Sequence, residues 1–415
     1  MTAARTETIT ADGIAHGGEA VGRLADGKAC FVAHAIPGET VVVAVEDERK
    51  RFARGTAVEV VEPSPHRVTP PCPHFGPGRC GGCRLQHISP AHQAVLLRRI
   101  VTEQLERIAR LEDPPVAETV RPHGGDGLGY RNRARFTPDG SGHLGFHRAA
   151  SHEVEPVATC PLLEPAAQAA REAAGDTWQG VDAVVVRSDA DGHRSIEVHP
   201  GDDPLPPLTP HAPDTALIGT DGPVALRGDP RLREQVGEVS LRVSPTVFFQ
   251  PSRAGASALT DLVRTEAAVR TGERVLDAYA GVGLFGAALA ADGGRVTAVE
   301  GDPLATEDAL VNLPADAEVI TAPVPEAVAE LAQDGERFGV VVLDPPRKGA
   351  GPESVVALAD RCDRTLVYVS CDPAALARDT RALIDHGWRL ARATPVDQFT
   401  HSAHVEIVAR FERPA

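Results

Sequence analysis

The stretch VYVSCDPAAL, Val367–Leu376, decides the reading of this chain. Val367 to Val369 have the character of a buried parallel strand end, and Asp372-Pro373 supplies an N-cap followed by proline at the first helical position. That places Cys371 at the carboxyl edge of a strand, where open α/β sheets bind their ligands. The dipole of the following helix is expected to favour its thiolate. A lone cysteine there is more often a small buried hydrophobe than a nucleophile, so the surrounding sequence has to choose.

Working outward, the last third alternates strands with alanine-rich helices, the pattern of a parallel sheet with crossover connections. Strands are predicted at Arg274–Asp277, Arg295–Glu300, Ala317–Thr321, Val340–Asp344 and Thr365–Ser370, with helices from Leu284 and over Leu304–Asn312. Val405–Phe411 is expected to close the sheet as an antiparallel edge strand. Residues 1–62 alternate short β-like runs with glycine turns and predict a small barrel. Pro63 to Pro71 is proline-rich and reads as a linker. The expected divisions are therefore 1–62, 63–242 and 243–415.

Length and composition bound the class. A chain of 415 residues predicts two or three domains, and 42 % apolar content is ample for packed cores. No run of eighteen apolar residues occurs and the N-terminus lacks a signal-peptide layout, so no membrane association is expected. Seven unevenly spaced cysteines do not form a disulfide framework, which suits a cytoplasmic enzyme. The net charge of −16 argues against nonspecific nucleic-acid binding, without excluding a local basic face. A monomer is expected.

The turn Ala278-Tyr-Ala-Gly-Val-Gly283 follows the first strand, and Glu300 ends the second. Glycines there let backbone approach a ligand, while an acid at the second strand's end can bind ribose hydroxyls. No third glycine follows, which favours S-adenosylmethionine over a dinucleotide. The fourth strand ends in Leu343-Asp-Pro-Pro-Arg-Lys-Gly349, lacking the aromatic that amino-group methyltransferases place after Asp-Pro-Pro. A pyrimidine carbon needs covalent activation instead, the task a thiol at Cys371 would perform.

Cys72, Cys80 and Cys83 form a second constellation with Cys160. Four thiolates could hold an iron–sulfur cluster or a structural zinc, and spacing alone leaves the two open. Arg131, Arg133 and Arg135 alternate beside Tyr130 and Phe136, as suits a splayed single strand of RNA or an ordinary solvated strand face.

At this point the chain resembles a family, the RNA uracil-5 methyltransferases. The resemblance is carried by AIPGETVVVAV, CGGCRLQH, YRNRARF, FFQ, VLDAYAGVGLF, AVEGDP, LDPPRKGA, VYVSCDPAALARD and DQFTHSAHVE, and covers nearly the whole chain. It implies a multi-domain α/β protein with an OB-like TRAM barrel, a β-rich iron–sulfur middle domain and a Rossmann-like class I methyltransferase sheet. It implies that Cys371 is the nucleophile adding to C6 of a uracil, and that Glu406 is the base removing the C5 proton. Gln250, Tyr279, Glu300 and Asp344 match cofactor-contacting positions for S-adenosylmethionine. Cys72, Cys80, Cys83 and Cys160 would ligate a [4Fe-4S] cluster, although seven residues separate Cys72 from Cys80 where five are usual. The substrate would be RNA, ribosomal in preference to transfer RNA. Departures stand at Ser252, Ala280, Leu284, Asp372 and Thr400. A non-catalytic RNA-binding or assembly protein that keeps the fold is the alternative; the intact Cys371 and Glu406 argue against it.

Overall fold

In the computed structural model, which describes residues 5–413, the glycine-punctuated N-terminal runs close on themselves. Strands β1 (Thr6–Ile14), β2 (Ala20–Arg23), β3 (Ala29–Ala33), β4 (Thr40–Glu48) and β5 (Phe52–Glu62) form a closed barrel in the order β1-β2-β3-β5-β4. Alternate residues such as Ile9, Val32, Val41 and Val43 fill it, as strand periodicity requires. Cys30 is one of these core residues.

The proline-rich 63–71 segment is not a free linker. Arg67 donates to both carboxylate oxygens of the fully buried Glu39, at 2.6 Å each, and to the carbonyl of His34. Ser64 N–H also donates to Glu39. One barrel carboxylate thus gathers the exit strap, and its own pKa lies below the usual value. Burial pushes that pKa up, but the hydrogen bonds from Arg67, Ser64 and Ile36 outweigh burial.

Helix α1 (Pro90–Arg107) follows, and its apolar stripe Leu96, Leu97, Ile100, Val101 and Leu105 packs into the C-terminal core. Ile14 and Ile36 of the barrel join that core too. The middle region is one mixed sheet of β6 (Arg133–Pro138), β7 (Leu144–His147), β8 (Val154–Pro156), β9 (Val181–Ser188), β10 (Arg194–Pro200), β11 (Asp214–Gly219) and β12 (Gly222–Arg227). Its order is β12-β11-β10-β9-β6-β7-β8, with α2 (Pro165–Ala174) packed on one face. A hairpin, β13 (Leu232–Val236) and β14 (Val239–Val243), then leads into α3 (Arg253–Ala267).

The C-terminal elements are β15 (Arg274–Ala278), α4 (Leu284–Ala291), β16 (Arg295–Glu300), α5 (Pro303–Asn312), β17 (Glu318–Thr321), α6 (Val324–Gln333) and β18 (Phe338–Leu343). They continue with α7 (Pro352–Arg361), β19 (Cys362–Ser370), α8 (Pro373–Asp385), β20 (Arg389–Val396) and β21 (Glu406–Glu412). The sheet runs β17-β16-β15-β18-β19-β21-β20, parallel except for β21. Val341, Leu343, Leu366 and Tyr368 face one core, while Val340, Val342, Val367 and Val369 face the other. Burial on both faces explains the near-continuous apolar runs in these strands. Cys362 is likewise a core residue.

The expected edge position of Val405–Phe411 is wrong. The strand is antiparallel, but β20 lies outside it. The sequence Arg389–Val396 hides this strand because it carries Arg392 and Pro395, and proline is tolerated at an edge where no ladder donor is needed. That edge is itself covered. Ala117 N–H donates to the carbonyl of Ala393 and Val120 N–H to that of Pro395. Among the described residues no helix is long and apolar enough to cross a membrane.

Candidate active site and thiol cavity

Strands β15, β16, β18 and β19 all end at one edge of the sheet, and β15 lies between strands reached in opposite directions. Ligand crevices of open α/β sheets form at such a switch point. Here it opens into a cavity of about 910 Å³ whose lining includes Gln250, Tyr279, Glu300, Asp344, Cys371 and Glu406. These positions come from six separate elements or loops, and the fold brings all six to one space.

The glycine turn after β15 is built to approach a ligand. Gly281 has φ +55°, and a Cβ added there would meet nothing within 4 Å, so its face is open. Tyr279 adopts φ 61°, a left-handed conformation that a non-glycine residue holds only under constraint. Glu300 accepts from Gly281 N–H through Oε2 and from Asp302 N–H through Oε1, both at 2.9 Å, which fixes its carboxylate at the cavity rim. Beneath the turn, Asp277 accepts from Gly286 N–H at 2.7 Å while its Oδ1 has no partner. Burial pushes its pKa up to about 7, and the Glu300 charge adds to the rise.

At the other end of the cavity three acidic groups converge. Burial pushes the Cys371 thiol up to about 12, with Glu406 and Asp344 adding to the rise and Arg347 opposing it. Glu406 is 5 % exposed and its pKa lies well above the usual carboxylate range, through burial and the neighbouring Asp344. Asp344 is raised to about 7 by burial and by Asp277. Burial and these carboxylates thus act against the thiolate preference expected at Cys371 from the helix dipole. Asp372 caps α8 as anticipated, accepting from Ala375 N–H at 2.7 Å, but desolvation and two carboxylates outweigh one helix dipole.

Several residues in the wall or directly behind it escape a sequence reading. Gln398 Nε2 donates to Gln250 Oε1 at 2.7 Å, and His123 meets the Gln398 backbone carbonyl at 2.9 Å. Phe399 and His404 line the cavity and pack edge to face, 6.0 Å apart. Burial lowers His404 to about 4, with Arg347 next among the causes. The motif DQFTHSAHVE marked the segment, but only the fold assigns its members to the wall. Ser252 caps α3 by accepting from Gly255 N–H. Thr400 hydrogen-bonds Asp397 through its hydroxyl, and its carbonyl accepts from Tyr130. Leu284 lines the cavity as an apolar surface.

The four predicted ligand cysteines also meet. Cys72, Cys80, Cys83 and Cys160 line a separate cavity of about 270 Å³, with Phe75, Phe146 and Arg131 on its walls. Among the described residues no three His, Cys, Asp or Glu side chains converge closely enough to hold a single metal ion. Burial raises Cys80, Cys83 and Cys160, Cys83 to about 12. Gly82 N–H donates to Cys80 Sγ at 3.5 Å. The longer Cys72–Cys80 loop folds into turns, with Phe75 N–H donating to Cys72 and Arg79 N–H to Gly76.

The three arginines share one face, lining a cavity of about 420 Å³, but that face is not wholly free. Arg133 pairs with the buried Glu197 at 3.4 Å, and Arg131 turns into the wall of the thiol cavity. Arg135 is exposed.

Comparison with known proteins agrees with this architecture. The sequence profile of the TRAM domain matches residues 4–58, and that of tRNA (Uracil-5-)-methyltransferase matches residues 327–413. An uncharacterized RNA methyltransferase of Streptomyces coelicolor is 38 % identical, with 97 % of this chain and 92 % of that protein aligned. The 23S rRNA (uracil(1939)-C(5))-methyltransferase RlmD of Chromohalobacter salexigens is 36 % identical over 98 % of this chain and 90 % of its own length. The crystal structure of Pyrococcus abyssi tRNA (uracil-54, C5)-methyltransferase with S-adenosyl-L-homocysteine superposes with a TM-score of 0.76. It is 26 % identical, covering 97 % of this chain and 99 % of that one. With a TRAM barrel, a methyltransferase sheet and full-length relatives of this kind, the chain belongs to the RNA (uracil-5-)-methyltransferase family.

Proposed function

We propose that this protein transfers a methyl group from S-adenosylmethionine to C5 of a uridine in RNA, through a covalent bond between Cys371 and C6 of the base. The carrying observation is that Cys371, Glu406 and Asp344 share one cavity with Tyr279, Gly281 and Glu300. Ribosomal RNA is the favoured substrate, in line with the 23S rRNA named for the 36 % identical relative.

The residues support a consistent division of labour. Gly281 offers open backbone, and the fixed carboxylate of Glu300 suits a ribose, so this end takes the nucleoside part of the cofactor. Bound there, S-adenosylmethionine supplies an electrophilic methyl group. Gln250, oriented by Gln398, and Tyr279 complete the walls. The Cys371 sulfur adds to C6, and the electron pair displaced from the C5–C6 bond makes C5 the nucleophile that takes the methyl group. Glu406 then removes the C5 proton, and the S–C6 bond breaks to restore the ring and the thiolate. Burial makes the ionised Glu406 a stronger base than an exposed carboxylate, and such assistance is worth about 10²- to 10⁴-fold. The Cys371 proton must leave before attack; Asp344 is the adjacent acceptor, which leaves Glu406 free to take the C5 proton, and Arg347 is the cation that favours ionisation.

The test is incubation with methyl-labelled S-adenosylmethionine and separate ribosomal and transfer RNAs, followed by nucleoside mass spectrometry. The expected product is 5-methyluridine in ribosomal RNA; product in transfer RNA alone overturns the substrate preference. Cys371→Ala is expected to abolish both turnover and any covalent RNA adduct, and a variant that still methylates overturns the nucleophile. We further propose that Cys72, Cys80, Cys83 and Cys160 hold a [4Fe-4S] cluster. What supports this reading is the donor set: four thiols line one cavity, the number such a cluster takes. Anaerobically purified protein is expected to contain iron and acid-labile sulfide, and zinc alone overturns the cluster.

A further inference from the structure

Arg131 presents a charge problem. Its guanidinium lies against the cavity of the four cysteines, its Nε is buried without a hydrogen-bond partner, and no carboxylate pairs with it among the described residues. Its contacts are aromatic faces instead: the guanidinium carbon lies 5.9 Å from the Tyr130 ring and 5.8 Å from that of Phe399. Its backbone is pinned to the Cys160 segment, since Arg131 N–H donates to Leu162 O at 2.8 Å and Glu164 N–H to Arg131 O at 2.9 Å. Cation–π contacts offset only part of the cost of half-burying a guanidinium, and Arg133 and Arg135, which share a neighbouring cavity with it, add like charge. The cavity wall carries no Asp or Glu, so only the four cysteines can supply a counter-charge there. Four thiolates around a metal core leave a net negative charge, which is the counter-charge the site lacks.

We infer that Arg131 is the charge-balancing and positioning residue of a thiolate-bound metal centre at Cys72, Cys80, Cys83 and Cys160. The inference rests on the cluster reading above and adds a residue that is not a ligand. It also joins the two cavities, because the Phe399 ring under the guanidinium lines the space around Cys371 and Glu406.

The experiment compares wild type, Arg131→Met and Arg131→Lys as full-length chains, purified without oxygen. In the loaded state Arg131→Met is expected to release iron to a ferrous chelator about 10-fold faster or more, on the scale typical of outer-shell partners of metal sites. Its reduction potential is expected to move to more negative values, since a lost positive charge makes an added electron less favourable. Arg131→Lys retains the charge and is expected to stay near wild type in potential. After metal removal the sign reverses: Arg131→Met is expected to melt at a higher temperature than wild type, because an unpaired, half-buried cation has been removed. A merely structural arginine would instead destabilise both forms when replaced. Wild-type iron release and potential in Arg131→Met, or lower melting temperatures in both states, overturn the role of Arg131. Absence of iron and sulfide from wild type overturns the cluster reading itself.

Discussion

At Cys371 the chemistry turns on a balance that no local motif displays. The strand end, the cap and the proline after it are legible in VYVSCDPAAL, and so is the likeness to a nucleophile's setting. Burial raises the thiol most, and the two carboxylates that add to it arrive from Glu406 on β21 and Asp344 at the end of β18, far away in sequence. A raised thiol pKa means little thiolate below that value, so alkylation of Cys371 by iodoacetamide in the free protein should be slow near pH 7–8 and accelerate as pH rises toward about 12. Glu406→Gln removes the largest neighbouring charge opposing ionisation. The variant should therefore alkylate faster than wild type at pH 8, roughly tenfold per unit of thiol pKa regained, while losing methyl transfer. Mass spectrometry of the Cys371 peptide across a pH series reads both; an unchanged alkylation rate in Glu406→Gln would remove that carboxylate from the account. Glu300 was easier to read, because it terminates a strand whose bounds the sequence pattern already marks.

Among the elements, the parallel strands were legible because continuous Val/Leu runs have few other uses, whereas β20 was not, since an edge strand may carry arginine and proline. The expected α8 start at Asp372-Pro373 is the observed one. Its energetics separate two roles of the same side chain. Asp372→Ala deletes the acceptor for Ala375 N–H and should cost about 1 kcal/mol, read from the denaturation midpoint. Asp372→Asn keeps an acceptor and should lie within about 0.5 kcal/mol of wild type. Equal losses in both variants would mean that the charge, not the cap, stabilises the helix.

For the whole molecule, the strap between barrel and core replaces the flexible linker that its prolines suggest. Composition cannot reveal that Arg67 has a buried partner 28 positions earlier in the chain. Glu39→Gln leaves Arg67 facing a neutral amide, and breaking such a pair should cost about 3 kcal/mol, at the low end for buried pairs because Arg67 is partly exposed. Chemical denaturation checks the magnitude. Since the Glu39 pKa is lowered on folding, its contribution is present above the unfolded-state value and fades as pH falls through the folded one. The wild-type advantage over Glu39→Gln should shrink accordingly in acid, and an advantage that grows there would contradict the pairing.

The contact between the cysteine loop and the catalytic wall sets an order in time. Arg84 and Leu85 both donate their N–H groups to the carbonyl of His401, and Gln93 bonds the same residue from 308 positions away. At typical synthesis speeds those partners leave the ribosome about 15 to 60 s apart. During that interval the loop of Cys80 and Cys83 has no wall to rest on, and the Phe399–His404 side of the cavity does not yet exist. The pocket around Cys371 is thus finished by a late event, the docking of His401, whereas every residue lining the cysteine cavity lies between positions 72 and 163 and is synthesised well before it.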